Sequence, residues 1–487
     1  MANLKSLAKE TAIYGFSSII GRFLNYLLVP VYASAMSAAS GGYGVITEVY
    51  AWTALLMVIL TYGMETTFFR FVNKESENPA RVYSTVLKMV GGSSLLFALL
   101  CTIFIQPIAE ATGYADHPWY IGMMVWVVAM DAFQCIPFAY LRYKKRALHF
   151  AGLKMLFIIL NITLNVIYYI GMGGNDVFYA FLFNLICTSV IMLLLLPQLH
   201  FAGGFDPALA KRMLHYSYPI MILGIAGILN QVADKIIFPH IYPDAKEART
   251  QLGIYGACSK IAMIMAMLTQ AFRYAYEPFV FGKSKDKDSK TVYAQAMKYF
   301  VIFTLLAFLA VMFYLDILKY ILAPDYWPGL KVVPIVMVAE IFMGVYFNLS
   351  FWYKLIDETK WGAYFSFAGC AVLIAINVIF VPIYSYMACA WAGFAGYGVA
   401  MLLSYFVGQK KYPINYDLWG IGKYILLAGI LYIIAEALPF DSLWLLLPLR
   451  TLLLMLFIGY IIKKDLPLNQ IPVINRFIKK TGRQIRK

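Results

Sequence analysis

Nine ionisable side chains sit inside long runs of leucine, isoleucine, phenylalanine and methionine: Arg22, Glu65, Asp131, Asp234, Lys235, Lys260, Arg273, Glu277 and Glu340. Cations and carboxylates at such depth can do two kinds of chemistry. They can line a wet cavity and attract a polar, charged ligand, or they can pair and fix helix packing. A cation at the centre of a bilayer-crossing helix costs about 2.5–3.5 kcal/mol, so none is expected to face lipid. Thr11, Gly15, Ser18, Arg22 and Asn25 follow one another at alternating steps of four and three, which keeps them on one helical face and adds Asn25 to the candidates. Gly224, Gly227, Gln231 and Asp234 repeat that face, and Gln270, Arg273 and Glu277 share another. Small residues on such faces also let helices approach closely. Tight packing therefore stays open beside a cavity, with Arg22 the residue that packing explains least.

Motifs for covalent or metal chemistry are missing. Gly282-Lys283-Ser284 ends like a phosphate-binding loop, but Glu277 stands where the leading glycine belongs. The five histidines are dispersed, and the six cysteines fall singly within apolar runs, which suggests neither a metal cluster nor a disulfide framework. No enzymatic role and no cofactor are expected.

The elements that must hold these side chains are membrane helices. With 62% hydrophobic and only 13% charged residues, the chain has too little polar surface for a soluble fold. A bilayer crossing needs roughly 20 mostly apolar residues, and fourteen such stretches are predicted: 11–34, 45–72, 82–110, 118–140, 148–171, 176–197, 213–238, 252–281, 292–318, 329–353, 361–382, 386–408, 418–438 and 443–462. None alternates with period two, so an all-α polytopic membrane protein is expected and not a barrel.

Charge sets the expected orientation. Of the forty basic residues, twenty-six fall in the termini and alternate loops on one side; only Lys246, Arg249, Lys319 and Lys331 fall on the other. The basic side faces the cytoplasm, which puts both termini there. The net charge of +15 thus reflects topology. Scattered over short loops, it forms no patch for nucleic acid. The last residues mix Lys479, Lys480, Arg483 and Arg486 with Ile471, Ile474 and Ile478, a pattern suited to an anionic membrane surface.

Sliding the chain along itself by 209 residues lays Gly15, Asn25 and Pro30 on Gly224, Asp234 and Pro239. At 212 it lays Tyr43-Gly44 and Glu65 on Tyr255-Gly256 and Glu277. The offset spans six crossings, an even number, so both halves enter the membrane the same way. The expected organisation is a parallel repeat of two six-helix lobes, residues 1–205 and 206–412, then two further helices over 413–463 and a basic tail from 464 to 487.

The run Gly21-Arg22-Phe23-Leu24-Asn25-Tyr26-Leu27-Leu28-Val29-Pro30, Tyr43-Gly44, Glu65 with Phe69-Arg70-Phe71, and Asp234-Lys235-Ile236-Ile237 resemble the bacterial polysaccharide flippases. These are the O-antigen (Wzx-type) transporters, in the superfamily that also holds multidrug (MATE) exporters and the lipid II flippase. The resemblance implies a MATE-like fold that moves an undecaprenyl-diphosphate-linked oligosaccharide from the inner to the outer leaflet of the bacterial cytoplasmic membrane. It implies membrane lipids, a polysaccharide polymerase and glycosyltransferases as partners. Arg22, Lys235, Lys260 and Arg273 would draw in the diphosphate and sugar. Coupling to Na⁺, to H⁺ or to the membrane potential stays open. So do the readings as a multidrug exporter, a lipid II flippase or, with outer loops too short for a catalytic domain, a membrane glycosyltransferase.

Overall fold

The computed structural model describes residues 27–465 except Glu75, 284–287, Asp357 and 440–441; within its helices the side chains at 246, 274–275, 277–279 and 281–283 are also left out. The described residues form helices and turns, without a strand. Thirteen of these helices are long and apolar enough to cross a membrane. They coincide one for one with the second to fourteenth predicted spans. Only the end of the first span, α1 (Leu28–Ala35), falls among the described residues.

The longer helices that follow are α2 (Gly42–Thr61), α3 (Met64–Val72), α4 (Pro79–Ile103), α5 (Pro118–Tyr143), α6 (Ala147–Val166), α7 (Val177–Leu195), α8 (Pro207–Ile241), α9 (Ala245–Lys283), α10 (Ser289–Phe313), α11 (Val333–Leu349), α12 (Lys360–Tyr384), α13 (Tyr386–Lys411), α14 (Leu418–Glu436) and α15 (Leu443–Lys464), with short helical pieces at Ile105–Ala111, Leu315–Leu318 and Phe351–Leu355 between them. Local chemistry sets several starts. Asn78 caps α4 by accepting from the Ala80 and Arg81 amides, and Asp206 caps α8 by accepting from those of Ala208 and Leu209, each with proline at the first helical position.

The second span, expected as one run over 45–72, is broken between α2 and α3. Tyr62 and Gly63 both adopt positive φ there, and a Cβ on Gly63 would lie 2.9 Å from Ile220 of α8. The break starts a new helix at Met64 and sets Glu65 in its first turn.

Helices α4 to α7 pack beside α2 and α3, while α8 and α9 to α13 form a second set of neighbours. The two sets meet where α2 lies against α8 and α9. The last two helices pack on each other and on α10, with Phe308 edge-on to Tyr432 and Tyr424 edge-on to Phe457. Their outer faces carry Ile433, Trp444, Leu452 and Met455, all exposed, as befits a surface in contact with lipid.

Candidate functional site

Four of the expected site residues are brought together where α8, α9 and α11 meet. Asp234 is buried, and the adjacent Lys235 ammonium donates to both its oxygens at 3.0 Å and to the Gln231 carbonyl at 3.0 Å. From α9 the Tyr255 hydroxyl donates to Asp234 Oδ2 at 2.7 Å, and its ring lies 5.4 Å from Lys235 Nζ. Lys235 is also within electrostatic reach of two further residues, Lys260 on α9 and Glu340 on α11. Glu340 is half-buried and has no hydrogen bond or ion pair among the described residues. Asp234 lies about 10 Å, and Lys260 about 20 Å, along their helices from the shared α8–α9 end. This mixed group can bind an anionic ligand through its lysines and can exchange a proton or cation through its carboxylates.

A second polar group lies among α2, α5, α6 and α7. Asp131 accepts from the Thr188 hydroxyl at 3.3 Å, with Lys154 in electrostatic reach and its ammonium 4.0 Å from the Phe138 ring centre. Alongside, Asn184 donates to the Tyr50 hydroxyl at 2.6 Å. Lys154 thus has an aromatic face and a carboxylate beside it. Lys298, near the inner end of α10, bridges Asp417 at 3.0 Å and Asp465 at 2.6 Å.

The other expected residues are dispersed. Glu65 pairs closely with Arg142, whose guanidinium also lies 4.9 Å from the Phe69 ring. Arg142 is therefore more than a loop charge of the basic side. Arg273 stands 4.8 Å from the Phe347 ring, linking α9 to α11. Glu277 lies on α9, but its side chain is outside the described residues, as are Arg22 and Asn25 entirely.

One cluster escaped the candidate list. Glu48 is fully buried; it accepts from the Tyr114 hydroxyl at 2.6 Å and lies 3.9 Å from Arg249 Nε. Arg249 covers the Tyr114 ring at 4.3 Å and donates to the Gly113 carbonyl at 2.7 Å. Next to it α2 and α9 touch backbone to backbone. A Cβ on Gly44 would lie 1.8 Å from the Arg249 carbonyl oxygen. Nearby, the Tyr326 hydroxyl donates to the Met36 carbonyl at 2.9 Å. A Cβ on Gly253 would lie 2.9 Å from the Gly44 amide nitrogen, and one on Gly256 2.5 Å from the Thr47 hydroxyl, so α2 and α9 close on each other along the seam between the two helix sets at this end. The signal for it was present in the sequence: Arg249 is one of four cations on the sparsely charged side.

A family model described as "Polysaccharide biosynthesis protein" matches residues 7–275. No curated protein sequence matches the chain. Among solved structures, "Lipid II flippase MurJ, inward closed conformation" superposes with a TM-score of 0.73 at 14% identity, covering 94% of this chain and 99% of that one. An inward-facing multidrug resistance MATE family transporter of the MOP superfamily gives 0.65 at 14% identity, over 80% and 93%. A MOP superfamily transporter from Pyrococcus furiosus gives 0.53 at 16% identity, over 82% and 95%. At such identities the likeness is one of fold.

Proposed function

Since the chain belongs to the polysaccharide biosynthesis protein family, we propose that this multi-pass membrane protein is a flippase. Its cargo is an undecaprenyl-diphosphate-linked oligosaccharide, carried from the inner to the outer leaflet of the bacterial cytoplasmic membrane for cell-surface polysaccharide synthesis. The observation that carries this reading is the mixed Asp234–Lys235–Lys260–Glu340 group at the meeting of α8, α9 and α11. A sugar–diphosphate head cannot cross hydrocarbon bare, because each unpaired polar group costs several kcal/mol there. A cation about 4 Å from a phosphate charge returns about 4 kcal/mol at an effective dielectric near 20. In this reading Lys235 and Lys260 supply such cations at the group, and the remaining candidates, Arg22, Asn25, Glu65, Asp131, Arg273 and Glu277, line the rest of the path that the head takes.

In this reading residues 1–205 and 206–412 are two lobes that rock about the α2–α8–α9 seam, and 413–463 flank them. The basic side is cytoplasmic, so the Glu48–Tyr114–Arg249 contact closes the outer end. A negative-inside potential favours outward movement of an anion by about 2.3 kcal/mol per charge per 100 mV, so no nucleotide is needed.

The test is translocation of a fluorescent lipid-linked oligosaccharide in vesicles holding the purified protein, read by loss of access to a membrane-impermeant quencher. Lys235→Met with Lys260→Gln should abolish it while the protein stays folded and inserted. Wild-type rates in that variant refute the assignment. Glycan transfer by the purified protein alone would put it among the glycosyltransferases, and rhodamine export without lipid flipping among the drug exporters.

A further inference from the structure

Two more of the four cations on the sparsely charged side, Lys319 and Lys331, converge on a cavity of about 460 Å³ that the transport reading does not use. Its walls are the end of α10, the short helix Leu315–Leu318, the 3-10 stretch Pro324–Val332, and Tyr432, Glu436 and Arg450 from the paired helices α14 and α15. Arg450 is the deepest charge, with its side chain 8% exposed. Its Nη1 donates to Asp316 Oδ2 at 2.8 Å and to the Phe313 carbonyl at 3.2 Å, while Nη2 stays 3.9 Å from Glu436. Its buried Nε finds no hydrogen-bond partner among the described residues. Lys319 takes the other Asp316 oxygen at 2.8 Å. Lys331 is exposed on the rim with no ion partner among the described residues.

Three cations thus face two carboxylates. Both Asp316 oxygens are already engaged, and Glu436 is half exposed and loosely held. The Arg450 Nε–H and Nη2 N–H groups and the Lys331 ammonium have no hydrogen-bond partner among the described residues, an arrangement matched to an anion.

We propose that this cavity binds the phosphate group of an anionic membrane amphiphile, with Lys331 and Arg450 as its phosphate contacts. A metal ion would meet a net positive lining. A sugar would want an open aromatic face, and Trp327 does not offer one. Its indole N–H is tied to the Lys319 and Leu322 carbonyls at 3.0 and 3.2 Å, Tyr320 meets it edge-on, and Lys319 Nζ sits 5.1 Å from its ring centre. The surroundings suit an acyl or isoprenyl tail. Ile433, Ile317 and Tyr320 near the cavity and Trp444 at the start of α15 are all exposed, in a region where Trp and Tyr favour the membrane–water boundary. The site is separate from the Asp234–Lys235 group, so it holds whether or not the flippase reading does.

The experiment is equilibrium binding of dioctanoyl phosphatidic acid to the full-length purified protein in neutral detergent. Dioctanoyl phosphatidylcholine serves as the neutral comparison and inorganic phosphate as the competitor. Saturable binding is expected, weakened roughly tenfold in Lys331→Gln, the scale of one charge-assisted hydrogen bond, and lost in Lys331→Glu. Lys290→Gln, in the cavity at the opposite end of α10, should bind as the wild type does. Competition by inorganic phosphate would mark the bare phosphate group as sufficient. No competition would mark the glyceride as part of the ligand; both uphold a phosphate site. Equal affinity in the wild type and Lys331→Glu, or phosphatidylcholine bound as tightly as phosphatidic acid, overturns the proposal.

Discussion

Replacing Lys235 by methionine separates a structural from a transport role for the central pair. The substitution keeps the length of the side chain and removes the ammonium that donates to both Asp234 oxygens at 3.0 Å. Asp234, with its side chain 8% exposed, keeps only the Tyr255 hydroxyl. Breaking a buried pair by removing one partner costs about 3–5 kcal/mol, most of it the stranded charge. The residual tyrosine bond puts the expected loss near the lower end, about 3 kcal/mol. Removing the stranded charge as well, in Asp234→Asn with Lys235→Met, should recover most of it, because a neutral amide can still accept from Tyr255. The readout is apparent melting of the detergent-purified protein for the two single variants and the double. Lys235→Met should melt lowest, with the double variant close to the wild type. Translocation measured on the same samples should stay abolished in the double variant, since restored packing does not restore the cation. A double variant whose loss equals the sum of the singles refutes the coupling. One that transports normally shows that the pair acts in packing alone.

Gly44→Ala places a Cβ 1.8 Å from the Arg249 carbonyl oxygen, an overpacking worth about 1–3 kcal/mol against the shut α2–α9 contact. Cys258, further along α9 and sealed against Tyr326 and Gly329, should become several-fold more reactive toward an impermeant thiol reagent once the other five cysteines are serine; unchanged labelling means the helices part elsewhere. Glu340→Gln should remove any response of transport to an imposed proton or sodium gradient while leaving downhill flipping intact, and a preserved response excludes Glu340 as the coupling group.

Acid should loosen the foot of α14 and α15. Burial works against ionised Asp465, but hydrogen bonds from Lys298 and Tyr424 outweigh it and hold its carboxyl below the usual aspartate range. Its stabilising contribution is therefore present above the unfolded value near 3.9 and fades as pH falls through the lower folded one. The melting difference between wild type and Asp465→Asn should stay flat from pH 8 to about 5 and shrink below 4. A difference that grows on acidification refutes the sign.

Span count and span type were legible because each crossing must satisfy its own backbone in lipid, which demands about twenty apolar residues in a row. A requirement internal to each segment can be read segment by segment. The break at Tyr62–Gly63 was not legible, since it answers to Ile220, far away in sequence. The candidate charges were picked out by their cost in hydrocarbon, but cost does not say who the partner is. Lys235 found its neighbour Asp234, Glu65 found Arg142, and Lys298 found Asp417 and Asp465.

Arg249, Lys319 and Lys331 looked like leftovers of the charge asymmetry. They turned out to hold the α2–α9 closure and the Arg450 cavity. A positive charge on the disfavoured side has no topological reason to be there, and that was the unused signal. Composition and charge order thus determined by themselves that the chain is a helical membrane protein, where it crosses and which residues cannot face lipid, because those depend on one segment and its solvent. Which charges meet, where the helices touch without room for a methyl group, and where a cavity remains were decided only by the tertiary structure, because each is set by distances between segments that the chain order leaves free.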